Sequence, residues 1–301
     1  MHRTTHADHD GSLAELQELD EMLSDSYASC MWLHNWSSSR LWDWRFGGNA
    51  IRHRDDLSFF RRNLHIWRSE GRPAGFLISE RGRDLSLQVH PDHRDLEDEM
   101  LDWAEKEWSA APRALETSVW GTDSWCQRLL SERGWKDAES AGFMRRYDTW
   151  MKVPDAPLPE GFRLTTMAEE GSVREFVEAV IGAFKHPGLG MEWFESKRSA
   201  PDYRDEWLIM AMSPEGRCAS FCDARMDRER AYTEIDPVGT HPDFQRMGIA
   251  KACLAECLRR LREAGVRNAF IGSDVEPNPS NRLYDSLHPV EKREGRVWRK
   301  E

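Results

Sequence analysis

Glu234-Ile-Asp-Pro-Val-Gly-Thr-His-Pro-Asp-Phe-Gln-Arg-Met-Gly-Ile-Ala-Lys251 is the stretch that decides the fold of this chain. Its first part, with Tyr232 and Thr233 before it, reads as a strand that Pro242 ends. Gly248 then opens a helix whose apolar face is Ala250, Leu254, Cys257, Leu258 and Leu261, with Gly265 as its stop. A strand, a turn and a glycine-opened helix make a cradle for an anion. The backbone N–H groups from Arg246 to Ala250 precede the first intrahelical bonds, and the helix dipole is positive there. Gly248 permits close approach of a pyrophosphate, Ala250 is nearly as small, and Arg246 brings a charge with forked donors.

The same phrase occurs twice. Val89-His90-Pro91-Asp92 returns as Thr240-His241-Pro242-Asp243, each copy preceded by a strand-like run and followed by a helical one. The first helix is expected from about Leu96 to Trp108. Leu115–Trp120 echoes Ala269–Gly272, and Leu129-Leu130 echoes Leu283-Tyr284. Between the copies lies Met151-Lys-Val-Pro-Asp-Ala-Pro-Leu-Pro-Glu-Gly161, whose three prolines suit an extended linker. The expectation is two tandem domains of one fold: residues 1–150 with a flexible N-terminal tail, a linker at 151–160, and a second domain at 161–301. The first copy has lost the cradle. Glu97 stands at the place of Gly248, Glu99 at Ala250 and Asp95 at Arg246, with Asp98 beside them. Four carboxylates near a dianion cost several kcal/mol even at an effective dielectric of about 20. Arg83 takes the place of Glu234 and Leu130 that of Tyr284.

Composition narrows the classes. A formal charge of −11 over 301 residues argues against nucleic acid, whose partners carry basic stripes. No run approaches the ~18 apolar residues of a membrane span, and the N-terminus lacks the apolar core of a secretory signal. None of the six cysteines forms Cys-x-x-Cys, so a metal site is not expected and a reduced, cytoplasmic setting is. Cys253 and Cys257 share a helix face and suit packing. Trp32, Trp36, Trp42 and Trp44 suit the core of the first domain, and the tail after Val290 suits a solvated edge strand.

The segment Glu234–Ala250 resembles motif A of the GNAT N-acetyltransferases, and Asn278-Pro-Ser-Asn281-Arg-Leu-Tyr284-Asp-Ser-Leu287 resembles their motif B. The likeness covers most of residues 161–301, and the degenerate first copy is similar to the arrangement of tandem GNAT proteins. The resemblance implies an α/β (α+β) architecture of two tandem GNAT folds, each a mixed, mostly antiparallel twisted sheet flanked by helices. It implies acetyl-CoA as co-substrate and no metal. Val238, Gly239 and Thr240 fall where a splayed strand offers backbone groups to the pantetheine arm and polarises the thioester carbonyl. Gln245, Arg246, Met247, Gly248, Ile249, Ala250 and Lys251 fall at the pyrophosphate. Asn281 falls on the cofactor arm, Tyr284 where a tyrosine protonates the departing thiolate, and Glu234 where some members place a general base. Two positions depart from the pattern: Ala250 replaces the second loop glycine, and His288-Pro289 replaces the usual Gly-Phe after motif B.

The chemistry of these residue types agrees. A protonated amine must lose a proton before attacking a thioester, which a carboxylate reached through water can accept. An oxyanion needs a fixed N–H donor, and a phenol can return a proton to a thiolate. Glu234 and Asp236 share a strand face at i, i+2, and either could be the base. His241 has a counterpart, His90, in the degenerate copy, which points to a structural role in the turn. The expected activity is acetyl transfer to a primary amine of a small molecule or peptide. The alternatives are a non-catalytic acyl-CoA sensor or scaffold, and transfer of another acyl or aminoacyl group. The first half is expected to bind no CoA through its own loop, to serve as a built-in partner (a monomer with an internal pseudo-dimer rather than a homodimer), and to supply a wall of the acceptor pocket. Phe184–Gly190 with Met191–Phe194 has the composition of a lid.

Overall fold

The computed structural model describes residues 4–33, 35–80, 84–108, 115–227 and 232–300; Arg83 lies outside them. In chain order the elements begin β1 (Thr4–Asp8), α1 (Leu13–Cys30), α2 (Ser38–Phe46), α3 (Gly48–Arg52), α4 (Ser58–Arg62), β2 (Leu64–Ser69), β3 (Arg72–Ile78) and β4 (Asp84–Val89). Then come α5 (Glu97–Glu107), β5 (Leu115–Trp120), α6 (Ser124–Glu132), β6 (Lys136–Asp148), β7 (Arg163–Thr166), α7 (Met167–Glu170), α8 (Val173–Phe184) and α9 (Met191–Arg198). The chain closes with β8 (Leu208–Met212), β9 (Cys218–Asp227), β10 (Tyr232–Thr240), α10 (Ile249–Glu263), β11 (Asn268–Ser273), α11 (Pro279–Asp285) and β12 (Glu291–Lys300).

These elements form two compact units. The first holds Met1–Arg45, His53–Gly142 and Arg293–Glu301, and the second Phe46–Arg52 and Phe143–Lys292. In the first unit the strand order is β1-β2-β3-β4-β5-β12-β6. β1 to β4 run as antiparallel neighbours, β4 and β5 pair in parallel, and β12 is antiparallel to β5. Leu85, Leu87 and Val89 on β4 pack with Met100, Leu101 and Ala104 of α5, the period of two meeting the period of 3.6. Ser12 caps α1 by accepting from the Glu15 N–H, and Leu16, Leu19, Leu23 and Tyr27 form its buried stripe. Trp32, Trp36, Trp42 and Trp44 are buried, as their apolar bulk led one to expect.

The second unit repeats the plan in the order β6-β11-β10-β9-β8-β7, with β10 and β11 the parallel pair. α10 buries Ala252, Cys253, Leu254, Ala255, Cys257, Leu258 and Leu261 in a core with Ile209, Ala211, Cys222 and Ala224 of β8 and β9. Cys253 and Cys257 thus serve as small apolar residues.

Two expectations about the chain are corrected. The N-terminal segment is not a frayed tail from residue 4 onward, because β1 pairs with β2 from Thr4↔Ser69 to Asp8↔His65. The linker carries no helix or strand from 152 to 159, and its Val153, Ala156 and Leu158 pack on the core of the second unit, since apolar residues between prolines find apolar surface at hand. The C-terminal run is no solvated edge. β12 lies between β5 and β6, with Val297 and Trp298 buried. As a result the units cut across the boundaries drawn at 150 and 161. Each completes its sheet with a strand from the other half of the sequence, residues 143–148 in the second unit and 293–300 in the first.

Replacing Trp298 by Ala is expected to destabilise the first unit by about 3–5 kcal/mol, as for other buried tryptophans. In hydrogen exchange the loss of protection falls on Leu115–Trp120, while Leu208–Met212 keeps its protection. The reverse pattern contradicts the placement of β12.

Candidate active site

The site is built by a strand that runs out of partners on one side. β10 pairs with β11 only at Tyr232↔Asn268, Thr233↔Ala269 and Glu234↔Phe270. Beyond that point β11 continues against β6 as far as Ser273↔Phe143, and β10 continues against β9 as far as Thr240↔Ser220. The two strands part, and a cleft opens between them. A bulge starts the separation: Ile235 pairs with Ala224 and Val238 with Cys222, so Asp236 and Pro237 together oppose a single residue of β9. After the bulge the His241 N–H donates to the Ala219 carbonyl at 2.9 Å. Bonded pairs alternate along an antiparallel ladder, so Gly239 is the residue bonded to β9, opposite Phe221. The N–H and C=O groups of Val238 and Thr240 therefore point into the cleft. Gly239 has no room for a side chain, since a Cβ there would sit 2.3 Å from the Phe221 ring.

The turn after β10 holds its shape by short-range bonds. His241 Nδ1 accepts from the Asp243 N–H at 3.2 Å, and Arg217 donates to the Asp243 carboxylate at 2.8 Å. His90 makes the same 3.2 Å bond with the Asp92 N–H. Both histidines thus stabilise the turn they precede. Gln245, Arg246, Met247 and Gly248 are exposed, and Arg246 and Gly248 both take positive φ, 67° and 81°. Ile249 is buried and anchors the helix start, while Ala250 and Lys251 are half-buried. The first helical bond runs from the Ala252 N–H to the Gly248 carbonyl at 3.2 Å. The amides of Ile249, Ala250 and Lys251 accordingly have no acceptor within the helix. A Cβ built on Gly248 meets nothing within 4 Å, so the backbone is open to close approach.

Tyr284 lies on α11, buried in the core of the second unit and near enough to Asp236 on the parted stretch of β10 to feel its charge. Asn278 caps α11 by accepting from the Ser280 N–H at 3.0 Å, and Pro279 occupies the first turn. His288 closes the segment at φ 58°, filling with a histidine the left-handed place that glycine usually takes. The Tyr284 side chain is only 6% exposed. Burial pushes its phenol well above the ordinary tyrosine range, and the carboxylate of Asp236 adds to the rise. The hydroxyl therefore keeps its proton at neutral pH and up to the usual tyrosine pKa of about 10. Asp236 is exposed on the parted stretch of β10. Glu234 sits at the apex of the cleft, the last residue of β10 paired on both sides, and faces Arg225 in the β9 register. Arg225, Asp223 and Glu234 thus share a face of the sheet, where Lys197 pairs with Asp223 at 3.3 Å and Arg225 with Asp202.

Asn281, expected on the cofactor arm, is tied by its side chain to three protein groups. Its side chain is fully buried, accepts from Arg145 at 2.8 Å and from Ser273 at 2.6 Å, and donates to the Asp274 carbonyl at 3.1 Å. Of the expected lid, Phe184 and Met191 are each 45% exposed, whereas Trp193 and Phe194 are buried on α9.

Residues 175–288 match the family model described as Acetyltransferase (GNAT) family. Curated proteins similar to this chain are mycothiol acetyltransferases. The one from Paenarthrobacter aurescens strain TC1 is 24% identical over 67% of this chain and 65% of its own length, so the match spans just under two thirds of that relative. The one from Nocardiopsis dassonvillei is 27% identical over 74% of this chain and 77% of its own. Among solved structures, a GCN5-related N-acetyltransferase from Sphaerobacter thermophilus superposes with a TM-score of 0.65 at 19% identity, covering 99% of this chain and 95% of that one. A tandem GNAT protein from the clavulanic acid biosynthesis pathway gives 0.64 at 14% identity, covering 99% and 98%. Both units carry the GNAT fold.

Within that shared fold the first unit treats the corresponding cleft differently. β4 and β5 pair only at Asp84↔Glu116 and Leu85↔Thr117, and then part. Leu87 holds the place of Val238, and its carbonyl accepts from the Asn35 side-chain amide at 3.0 Å. Glu97, in the place of Gly248, has φ −57°, so the left-handed turn is gone and a 3-10 turn at Pro91–Leu96 leads directly into α5. Glu97 is fully buried against Arg94 at 2.7 Å, and burial raises its carboxyl above the usual range. Arg94 in turn grips Asp123 at 2.8 Å. Asp98 pairs with Arg133 at 2.6 Å, and Glu99 accepts from Trp67 at 3.0 Å. Asp95 is exposed.

Gly248→Val is expected to weaken CoA binding at least tenfold in calorimetry, because a β-branched residue resists positive φ and its side chain fills the open space at the cradle. Unchanged affinity contradicts the cradle.

Proposed function

We propose that this protein is an N-acetyltransferase that moves acetyl from acetyl-CoA to a primary amine by direct attack. The observation that carries the reading is the buried, protonated Tyr284 hydroxyl at the parted strands of β10 and β11, in the same unit as an open, glycine-led helix start. The residues present fit the co-substrate. Val238 and Thr240 offer cleft-facing backbone groups to the pantetheine arm and an N–H to the thioester oxygen, with Gly239 giving the strand its close seat on Phe221. Gln245, Arg246, Met247, Gly248, Ile249, Ala250 and Lys251 hold the pyrophosphate through amides and charge.

Glu234 takes the proton from the attacking ammonium, through water, at the apex of the cleft. Asp236 serves Tyr284: together with burial, its negative charge keeps the phenol protonated, so that its O–H can donate to the CoA sulfur as the C–S bond breaks. CoA leaves as the thiol, and the second proton released by the attacking nitrogen as the amide forms balances the one delivered to sulfur. Asn281 acts by holding α11 rather than by touching the cofactor arm. The first unit binds no CoA of its own, since Asn35 occupies the backbone of its cleft and Glu97 its helix start. The acceptor of the mycothiol acetyltransferases heads the amines to be tried, followed by aminoglycosides, polyamines and peptide N-termini. The net charge of −11 favours a cationic acceptor by steering it. We place the protein in the cytoplasm, working as a monomer.

Three outcomes test this reading. CoA should bind at one equivalent per chain, and Glu97→Gly should leave that number at one. Tyr284→Phe should lower kcat roughly 10²-fold, within the range of general acid catalysis, and leave CoA affinity within twofold. Glu234→Gln should lower kcat more than Asp236→Asn does in an assay of free CoA release. A chain that binds CoA normally yet releases none with any amine is a sensor of acyl-CoA.

A further inference from the structure

We propose that Arg145 is a positioning residue for the acid, fixing the helix that carries Tyr284 from a strand supplied by the N-terminal half of the sequence. The inference rests on the reading of Tyr284 given above. Arg145 lies in the part of β6 that belongs to the second unit, paired with Ile271 of β11. It is fully buried, and a buried guanidinium is held only by a complete set of acceptors. Its three nitrogens reach three separate groups. Nε donates to Asp285 at 2.5 Å, Nη1 to the Ser273 hydroxyl at 2.8 Å and Nη2 to the Asn281 carbonyl oxygen at 2.8 Å.

Those acceptors are not arbitrary. Asn281 and Asp285 lie on α11 on either side of Tyr284, and Ser273 is the last residue of β11. The rigid guanidinium fork therefore sets α11 against the strand end that forms one wall of the cleft. Two residues further along β6, the Tyr147 hydroxyl donates to the main-chain carbonyl of Tyr284 itself at 2.9 Å. The arginine also lies against the ring it positions, 5.8 Å from guanidinium carbon to ring centre. The hydrogen bond from Arg145 holds the Asp285 carboxyl below the usual range, with Lys292 adding to it.

A lysine keeps the charge but has one nitrogen on a flexible stem and cannot bridge three acceptors in a plane. In the full-length protein, Arg145→Lys should lower kcat at least tenfold while KM for acetyl-CoA stays within twofold, because the cradle at Gly248 is untouched. Combined with Tyr284→Phe it should add no further loss. Exchange of the amides from 279 to 287 should accelerate, while those of α10 stay protected. Asp285→Asn, which keeps Arg145 in place, should give a smaller change of the same kind and serves if the arginine variant fails to fold. Full kcat in Arg145→Lys, or losses that multiply with those of Tyr284→Phe, overturn the proposal. If the wild-type protein acetylates no amine, the enzymatic reading falls, and the exchange measurement alone decides whether Arg145 holds the helix: unchanged exchange refutes it.

Discussion

Backbone hydrogen bonding at the parted strands is the constraint on which the site depends. After Glu234, β10 keeps its bonds to β9 but loses those to β11, so Val238 and Thr240 carry polar groups that have no partner in the sheet. Such groups must be satisfied by water, protein or ligand. The two units give two answers. In the first, Asn35 covers the Leu87 carbonyl and a buried Glu97–Arg94 pair occupies the helix start. In the second, the place stays open and ends at a glycine in a left-handed conformation. One fold thus yields one closed cleft and one open one, and the difference is made by a handful of side chains.

The second feature that shapes the molecule is the way the strands are shared out. β6 begins in the first unit and ends in the second, and β12 ends in the first. Neither half of the sequence, cut at the prolines, contains a full sheet. This gives the N-terminal half a structural role in the second unit: its strand brings Arg145 and Tyr147 to the helix that carries Tyr284.

Much was legible in the residues because the relevant signals are local. The turn bonds of His90 and His241, the helix opened by Gly248 and the apolar stripe of α10 all follow from residues within a few positions of each other. The buried tryptophans follow from their bulk. The misreadings were non-local. Thr4–Asp8 alternates weakly and is polar, so only its pairing with β2 makes it a strand. Residues 291–300 carry seven charges among ten and look like a surface edge, yet Val297 and Trp298 decide their burial. The bond between Asn281 and Arg145 is likewise non-local, since nothing near Asn281 in sequence announces a partner 136 positions away.

Sequence by itself determined the repeat, the glycine-opened helix start of the second copy and the carboxylates that stand there in the first, since backbone freedom at glycine and the sign of a side-chain charge are properties of the residue. Tertiary structure alone decided which strands complete which sheet, what covers the first cleft and what holds Tyr284. Those outcomes depend on pairing and burial between distant segments, where a one-residue change of partner alters every contact that follows.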